Sequence, residues 1–303
     1  MLQQPIFIGG LHRSGTSLMR AIVGSHPAVT LYKSDLPLWT KFYDRHKSVD
    51  LNDRANLQTN LQNILDEIFN HKKADDLASV RSEIEQQLLD SIELKHLTFG
   101  TLCEVILKTY ARSQHPQLAG ANILTRWGLK TPYNEFFADA IFEAYPDAKM
   151  VQMLRDPRDV AVSVESRGWS KTLEQTCQEW QDSARLAQIN TQKYAGSYIV
   201  VRYEDLVKNS EPIARKVCQT LEIDYSPEML SMQGHHGWRG SNSYFDDIGY
   251  QQQGISSSGL GRFIDLLEPE HLKFIQDRLG NDMNCWNYEL MLPSSIAKEE
   301  MTR

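Results

Sequence analysis

A chain of 303 residues with 41% hydrophobic and 23% charged side chains can bury a sizeable core and has the composition of an ordinary globular protein. Its net charge of −7 argues against a general binder of nucleic acids or anionic membranes, so any anionic ligand must be held by local cations. The four cysteines are scattered without a C-x-x-C pair, which predicts reduced thiols and neither disulfides nor metal ligands.

The N-terminus, MLQQPIFIGG, has no basic segment and only a short apolar run before a glycine turn. This pattern is typical of a first buried strand and not of a signal peptide. No run approaches the roughly 20 apolar residues that a membrane helix needs. We therefore expect a cytoplasmic protein without a membrane span.

The first strand leads into the loop GGLHRSGTS (residues 9–17) and then into an apolar helix. Gly10 and Gly15 are spaced as in a G-x-x-x-x-G-K-[ST] phosphate loop, but Thr16 replaces the lysine that reaches the far end of a triphosphate. The loop amides at the helix N-terminus still form an anion site. With its cation earlier, at Arg13, the loop predicts a site for a terminal phosphate that carries a leaving group.

Strand and helix patterns alternate along the rest of the chain. Residues 50–114 have the helical spacing of apolar side chains and are predicted to be a helical insertion between strands. The alternation predicts an α/β fold with a mainly parallel sheet flanked by helices, in one domain of residues 1–293 with a frayed tail at 294–303. Strands are predicted at 6–8, 28–33, 121–130, 149–156 and from 198, and helices around 136–142 and 211–221.

Residues 234–261 form a long stretch rich in glycine, serine and aromatic residues, without a sustained period. A loop of this length in a compact domain is usually functional or disordered, and its aromatic residues favour an ordered lid.

The segment LRDPRDVAVSVESRG predicts a second anion site. Arg155 follows an apolar strand, Asp156 can cap the next helix, and Pro157 suits the first turn of that helix. On a continuing helix, Ser163 and Arg167 are four residues apart and share a face, so with Arg155 they could hold a second phosphate. Two separate monophosphate sites on one sheet suggest a nucleotide that is phosphorylated at two places.

These motifs together resemble those of sulfotransferases that use 3′-phosphoadenosine 5′-phosphosulfate (PAPS) and release 3′,5′-adenosine bisphosphate (PAP). The first loop resembles the 5′-phosphosulfate loop in the form found in tyrosylprotein and many bacterial enzymes, and RDPR with its serine resembles the 3′-phosphate motif. VRYEDL at 201–206 and GLGRF at 259–263 resemble two further segments of the family. The resemblance implies a P-loop-like fold.

The same resemblance assigns a donor-binding role to eleven residues. Residues 13–17 would bind the 5′-phosphosulfate, the arginines and serine of the second site would bind the 3′-phosphate, and a tyrosine would lie near the adenine. Two residues late in the chain would close over the phosphates. The set is Arg13, Ser14, Gly15, Thr16 and Ser17, then Arg155, Ser163 and Arg167, then Tyr203, then Ser257 and Arg262.

GLKTPY (128–133) resembles the K-T-P segment of these enzymes, which makes Lys130 the candidate catalytic lysine. A cation directed at the leaving phosphate, here Lys130 with Arg13, stabilises the transition state more than the ground state. The acceptor hydroxyl also needs a general base. Tyrosylprotein sulfotransferases have a glutamate where this chain has Ser34, and we predict that the neighbouring Asp35 is the base. The alternatives are His12, His235 and His236, and Asp35 could instead cap a short helix.

We therefore predict an enzyme that moves a sulfuryl group from PAPS to a hydroxyl of a small-molecule, lipid-like or sugar acceptor. Fixed cations would replace Mg²⁺, so no metal ion is required. Phe263 stands where the family has tryptophan, which hardly affects this prediction. The altered base region and the lack of a leader weaken the case for protein tyrosine as acceptor. A P-loop kinase of small molecules and a non-catalytic nucleotide-binding module remain as alternatives.

Overall fold

The computed structural model describes residues 4–51, 56–92, 97–115, 126–168, 170–232, 242, 244–245, 249–250 and 254–291. His235, His236 and the tail at 294–303 lie outside these residues, as does most of the predicted lid. The strands are β1 (Ile6–Gly10), β2 (Val29–Leu31), β3 (Arg126–Lys130), β4 (Lys149–Leu154), β5 (Tyr198–Arg202), β6 (Tyr244–Phe245) and β7 (Gly249–Tyr250).

Thirteen α-helical segments alternate with these strands in the described part of the chain. A π-helical segment (Leu38–Tyr43) and two 3₁₀ segments (Asp75–Val80 and Asn134–Phe137) complete the helical structure there. The helices are α1 (Thr16–Gly24), α2 (Asp44–His46), α3 (Leu57–Phe69), α4 (Arg81–Ile92), α5 (Phe99–Ser113), α6 (Ala138–Ala144), α7 (Pro157–Glu165), α8 (Leu173–Lys193), α9 (Tyr203–Lys208), α10 (Ser210–Leu221), α11 (Glu228–Ser231), α12 (Phe263–Leu266) and α13 (Pro269–Cys285). None of the helices in these ranges is long and apolar enough to cross a membrane.

The described strands form a five-stranded parallel sheet in the order β2-β3-β1-β4-β5 and a separate antiparallel pair, β6 and β7. Strand β1 is central, with Ile8 aligned to Lys130 of β3 and to Val151 of β4. Helical connections join the parallel strands, as parallel pairing requires. The predicted α/β fold, a mainly parallel sheet flanked by helices, is confirmed.

Side chains of β1 alternate between two hydrophobic cores, because successive residues of a strand point to opposite faces of the sheet. Phe7 packs with Trp39, Trp127 and Tyr145 on one face. On the other face, Ile6 and Ile8 belong to a core that α1, α10 and α11 complete. All the side chains of β1 are buried, which explains the continuous apolar run of the sequence.

Helices α3, α4 and α5 lie between β2 and β3 in the chain, as the helical spacing of residues 50–114 predicts. Their apolar stripes are buried in the same core as Phe7. Helix α5 begins at the N-cap Thr98, whose hydroxyl accepts a hydrogen bond from the Thr101 amide at 3.1 Å. The segment before Arg126, which we predict to be part of β3, lies outside the described residues.

The carboxyl ends of four parallel strands bring the predicted functional residues to one edge of the sheet. The phosphate loop follows β1, Lys130 is the last residue of β3, Arg155 follows β4, and Tyr203 follows β5. Ligands of open α/β sheets bind at this edge, between the strands where the order reverses. Here that position is β1, with β3 on one side and β4 on the other.

The close approach of β1 and β4 leaves no room for a side chain at Gly10. Gly10 has φ +119°, and a Cβ at this position would overlap the carbonyl oxygen of Met153. Gly196 also has a positive φ, +80°, but a Cβ there meets no atom within 4 Å. We expect Gly196→Ala to cost about 1 kcal/mol of the free energy of unfolding. Gly10→Ala should cost about 3 kcal/mol or more because backbone overlap adds to the strain. Urea unfolding of both variants measures the difference, and equal costs would contradict this packing.

Candidate functional site

The loop between β1 and α1 adopts the backbone geometry of an anion site. Arg13 and Gly15 have left-handed φ values of 70° and 94°. Ser14 closes the turn, since its amide and hydroxyl both donate to the Leu11 carbonyl, at 3.2 and 2.6 Å. Helix α1 then starts at Thr16 without a side-chain cap. The N–H groups of its first turn have no intrahelical partner and carry the positive end of the helix dipole.

A buried carboxylate holds the start of this loop. Glu135 Oε2 accepts the Gly10 amide at 2.6 Å, and Oε1 accepts the Ser183 hydroxyl at 2.8 Å. The Tyr133 amide donates to the Gly10 carbonyl at 3.1 Å. Burial raises the pKa of Glu135 to about 6, although these hydrogen bonds oppose the rise. The segment that follows Lys130 therefore fixes the loop from behind.

Lys130, Asp35 and Arg20 form a charged group beside the loop. The Lys130 ammonium pairs with Oδ1 of Asp35, and Arg20 Nη1 lies 3.2 Å from the same oxygen. Lys130 Nζ also lies 3.4 Å from the hydroxyl of Ser17. The side chain of Lys130 is only 1% exposed, whereas that of Asp35 is 33% exposed. Both cations contact Oδ1 of Asp35, and none of the described residues donates a hydrogen bond to its Oδ2.

Burial and charge set the protonation of this pair in different ways. Burial lowers the pKa of Lys130 to about 8, even though Asp35 raises it. For Asp35, burial raises the pKa, but Lys130 and Arg20 outweigh it, so the net shift is downward. At neutral pH both groups are therefore charged, and Asp35 can accept a proton. The alternative that Asp35 caps a helix is wrong, because Pro37 occupies the N-cap position and no side chain caps that segment.

His12 lies on the same side of the loop, with its ring edge-to-face on Tyr133 at a centroid distance of 5.1 Å. Burial, and then the charge of Lys171, lower its pKa, so the imidazole is neutral at pH 7. The Tyr133 hydroxyl donates to Glu179 at 2.8 Å and accepts from Lys171 at 3.0 Å. Lys171 and Glu179 also line a surface depression of about 430 Å³. The charges of Asp35, Lys130 and Glu179 also act on the pKa of His12.

The second predicted anion site is centred on Arg155. Its Nη1 donates to the Arg13 carbonyl at 3.0 Å, and its Nη2 donates to the Gly259 carbonyl. The guanidinium lies over the Tyr203 ring, 4.6 Å from the centroid. The Nε atom of Arg155 is buried without a hydrogen-bond partner, and a buried unpaired donor is costly unless a ligand satisfies it.

The two predicted anion sites are contiguous. Arg13 Nε donates to the hydroxyl of Ser163 at 2.8 Å, so residues assigned to different phosphates touch each other. Tyr203 packs under the loop, where a Cβ on Gly15 would come within 2.5 Å of its ring. The residues predicted for the two phosphates therefore lie side by side and form one continuous group.

The predicted shared face of Ser163 and Arg167 is wrong. Helix α7 ends at Glu165, and the chain then turns through Gly168, which has φ +60°. Arg167 lies in this turn with an exposed side chain, whereas Ser163 is buried inside the helix. The N-terminal features of α7 are confirmed, since Asp156 caps Arg158 N at 2.9 Å and Pro157 is the first helical residue.

The late segment reaches the site through residues that the sequence patterns missed. Buried Asp159 accepts the amides of Gly261 and Phe263 at 2.8 and 3.1 Å. Asn242 donates to the Tyr203 hydroxyl at 2.8 Å and to the Ser256 carbonyl at 2.8 Å. Among the predicted pair, Ser257 is exposed and Arg262 is half-buried at the start of α12. The available signal was the spacing of Arg155 and Asp159, which are four residues apart and form an ion pair at 3.9 Å.

Sequence comparisons show which known proteins this chain is similar to. A profile described as "Sulfotransferase family" matches residues 5–227. The chain is 26% identical over 290 residues to a Caenorhabditis briggsae protein provisionally named protein-tyrosine sulfotransferase, with 91% of this chain and 86% of that protein covered. It is 24% identical over 238 residues to the protein-tyrosine sulfotransferase of Drosophila melanogaster, with 76% of this chain but only 40% of that protein covered.

Solved structures have a similar fold. The sulfotransferase domain of the Synechococcus olefin synthase superposes with a TM-score of 0.60 at 18% identity, covering 95% of this chain and 96% of that domain. The sulfotransferase domain from the curacin biosynthetic pathway gives a TM-score of 0.54 at 19% identity, covering 95% and 99%. At these identities the similarity concerns the fold.

The raised pKa of Glu135 predicts a pH-dependent stability. A carboxyl with a folded pKa of about 6 and an ordinary value of 4.5 binds its proton more tightly in the native state. The stability of the wild type relative to Glu135→Gln should therefore fall by about 2 kcal/mol as the pH rises from 4.5 through 6, and stay level above. Urea unfolding of both proteins from pH 4 to 8 measures this difference, and a constant difference would contradict it.

Proposed function

This chain belongs to the sulfotransferase family, and on that premise we propose that it transfers a sulfuryl group from PAPS to a hydroxyl group of an acceptor. The observation that carries the proposal is the continuous cationic site of Arg13 and Arg155 at the N-terminus of α1. There the unpaired Nε of a buried arginine adjoins a helix start that has no cap of its own. Such a site suits a nucleotide with two phosphate groups.

The residues would divide between the two ends of the donor. The amides of residues 13–17 would hold the 5′-phosphosulfate, and Arg155 with Ser163 would hold the 3′-phosphate, with Arg167 as an outer contact. Tyr203 would pack near the adenine, and Ser257 and Arg262 would close over the phosphates. The fit is supported by the buried Nε of Arg155 and by Gly259, where a Cβ would come within 3.3 Å of the Arg155 Nη2.

The transfer would proceed in line, with Asp35 as the general base. Its Oδ2 would accept the proton of the acceptor hydroxyl while the acceptor oxygen bonds to sulfur. The bond between sulfur and the 5′-phosphate oxygen breaks, and both of its electrons leave with PAP. Lys130 and Arg13 would stabilise the charge that develops on this oxygen, and fixed cations of this kind need no Mg²⁺. His12, close to both charged groups, is the alternative base.

The acceptor class is the finer part of the proposal. The sequence favours a small-molecule, lipid-like or sugar hydroxyl. The charged side chains of Lys171 and Glu179, which line the surface depression beside Tyr133, suit an acceptor with polar groups. Protein tyrosine is the second candidate, because both curated relatives are named for that acceptor. A panel with ³⁵S-labelled PAPS and four acceptors (4-nitrophenol, a long-chain alcohol, an alkyl glucoside and a tyrosine peptide) distinguishes these classes.

We expect PAP to raise the melting temperature strongly, and AMP and ATP–Mg²⁺ to raise it little. At a hundredfold excess over Kd, a ligand of the native state adds about 2.7 kcal/mol of stability. Arg155→Met should lower PAP affinity at least tenfold, because charge-assisted hydrogen bonds are lost. Arg215→Met, which removes an exposed arginine paired with Glu211, is the control. Stabilisation by ATP–Mg²⁺ in place of PAP would favour the kinase alternative.

Lys130→Met should reduce sulfuryl transfer about a hundredfold or more while PAP affinity stays within a few fold. The matched control is Lys149→Met. Lys149 is another buried strand lysine, paired with Glu222 at the opposite end of the sheet, and its loss should affect stability but not turnover. Single-turnover transfer of ³⁵S checks the step directly. Undiminished transfer by Lys130→Met would remove this lysine from the mechanism, and PAP binding without any transfer would favour the non-catalytic module.

A further inference from the structure

Arg20 touches the charged group at the site but has no part in the mechanism above. It lies on α1, and its Nη1 is 3.2 Å from Oδ1 of Asp35. Its side chain is only 11% exposed, and its Nε is buried without a hydrogen-bond partner. Burial lowers the pKa of Arg20, whereas Asp35 opposes this effect, and an arginine side chain stays protonated at neutral pH. The Asp35 carboxylate is therefore always next to one fixed cation.

Two residues of α1 face the Lys130–Asp35 pair together. Ser17 lies 3.4 Å from the Lys130 ammonium, and Arg20, three residues later, contacts Asp35. Residues three apart lie on the same face of a helix. The N-terminus of this helix belongs to the phosphate loop. One rigid element thus links the loop to the carboxylate.

We propose that Arg20 is a positioning residue, which holds Oδ1 of Asp35 so that Oδ2 faces the acceptor hydroxyl when Lys130 donates to the leaving phosphate. The inference rests on the proposed function. In the structure Lys130 is paired with Asp35, but in the reaction its ammonium is directed at the phosphate oxygen. Its attraction for Asp35 is then shared with that oxygen, and Arg20 becomes the main partner of the carboxylate. The base keeps its place relative to the loop.

The charges around Asp35 determine whether its pKa rises or falls when Arg20 is removed. Lys130, Arg20 and Lys73, from the segment between α3 and α4, all lower the pKa of Asp35 against the effect of burial. Arg20 in turn is near Asp35 and Tyr110. Removing Arg20 should raise the pKa of Asp35, because fewer positive charges then counteract the effect of burial.

The first test follows Asp35 without any ligand. Protein labelled with ¹³C at the aspartate carboxyl carbons is titrated by NMR, and the Asp35 signal is assigned by its loss in Asp35→Asn. The pKa of Asp35 should rise in Arg20→Met, and stay close to the wild-type value in Arg20→Lys and in the control Arg215→Met. An unchanged pKa in a folded Arg20→Met protein would overturn the proposal.

The second test is a double-mutant cycle in single-turnover transfer from PAPS to the best acceptor of the panel. Arg20→Met should lower the rate about tenfold to a hundredfold, as displacement of a catalytic group does, with PAP affinity nearly unchanged. It should also move the acid limb of the pH–rate profile to higher pH, and Arg20→Lys should restore much of the rate.

In the Asp35→Asn background, Arg20→Met should lower the transfer rate only slightly further, because Arg20 acts through the Asp35 carboxylate. If Arg20→Met lowered the rate by the same factor in Asp35→Asn as in the wild type, Arg20 would act independently of Asp35, and the inference would be overturned. Failure of the wild type to bind PAP would instead refute the donor proposal, while the NMR titration would still report the contact with Arg20.

Discussion

The parallel pairing of β1 with both β3 and β4 is the constraint on which the site depends. Because the three strands run in the same direction, their carboxyl ends bring the phosphate loop, Lys130 and Arg155 to one edge. Glu135 and the Tyr133 amide then fix Gly10, so the loop and the segment after Lys130 form one rigid unit. A change in the register of either strand pair would separate the cations that the proposed chemistry requires.

Charge burial is the main energetic cost of this arrangement. Lys130 is almost fully buried, and its attraction to Asp35 offsets part of the free-energy cost of desolvation. A lysine whose pKa is about 8 holds its proton less firmly than a surface lysine, yet remains a cation at neutral pH. Groups with such shifts cluster at functional sites, because binding a charged substrate can repay the cost of their burial.

The sequence predicted what local patterns determine, and missed what tertiary contacts determine. The apolar run of β1, the glycine spacing of the loop and the cap of α7 predicted the central strand, the loop after it and the start of α7. The extent of α7 was overestimated because the turn at Gly168 was not recognised, which misplaced Arg167. Arg20 and Glu135 have no sequence motif, since their partners lie 15 to 125 residues away. Of the alternative bases, only His12 lies in the described part of the chain.

We propose that one continuous cationic site holds both phosphate groups of an adenosine bisphosphate. Because Arg13 contacts Ser163, a bound nucleotide must either break this contact or place its two phosphate groups on either side of it. A crystal structure of the protein with PAP tests this directly. We predict the 5′-phosphate on the amides of residues 13–17 and the 3′-phosphate on Arg155 and Ser163. Density for PAP elsewhere, or with Arg13 and Arg155 directed away from its phosphates, would contradict it.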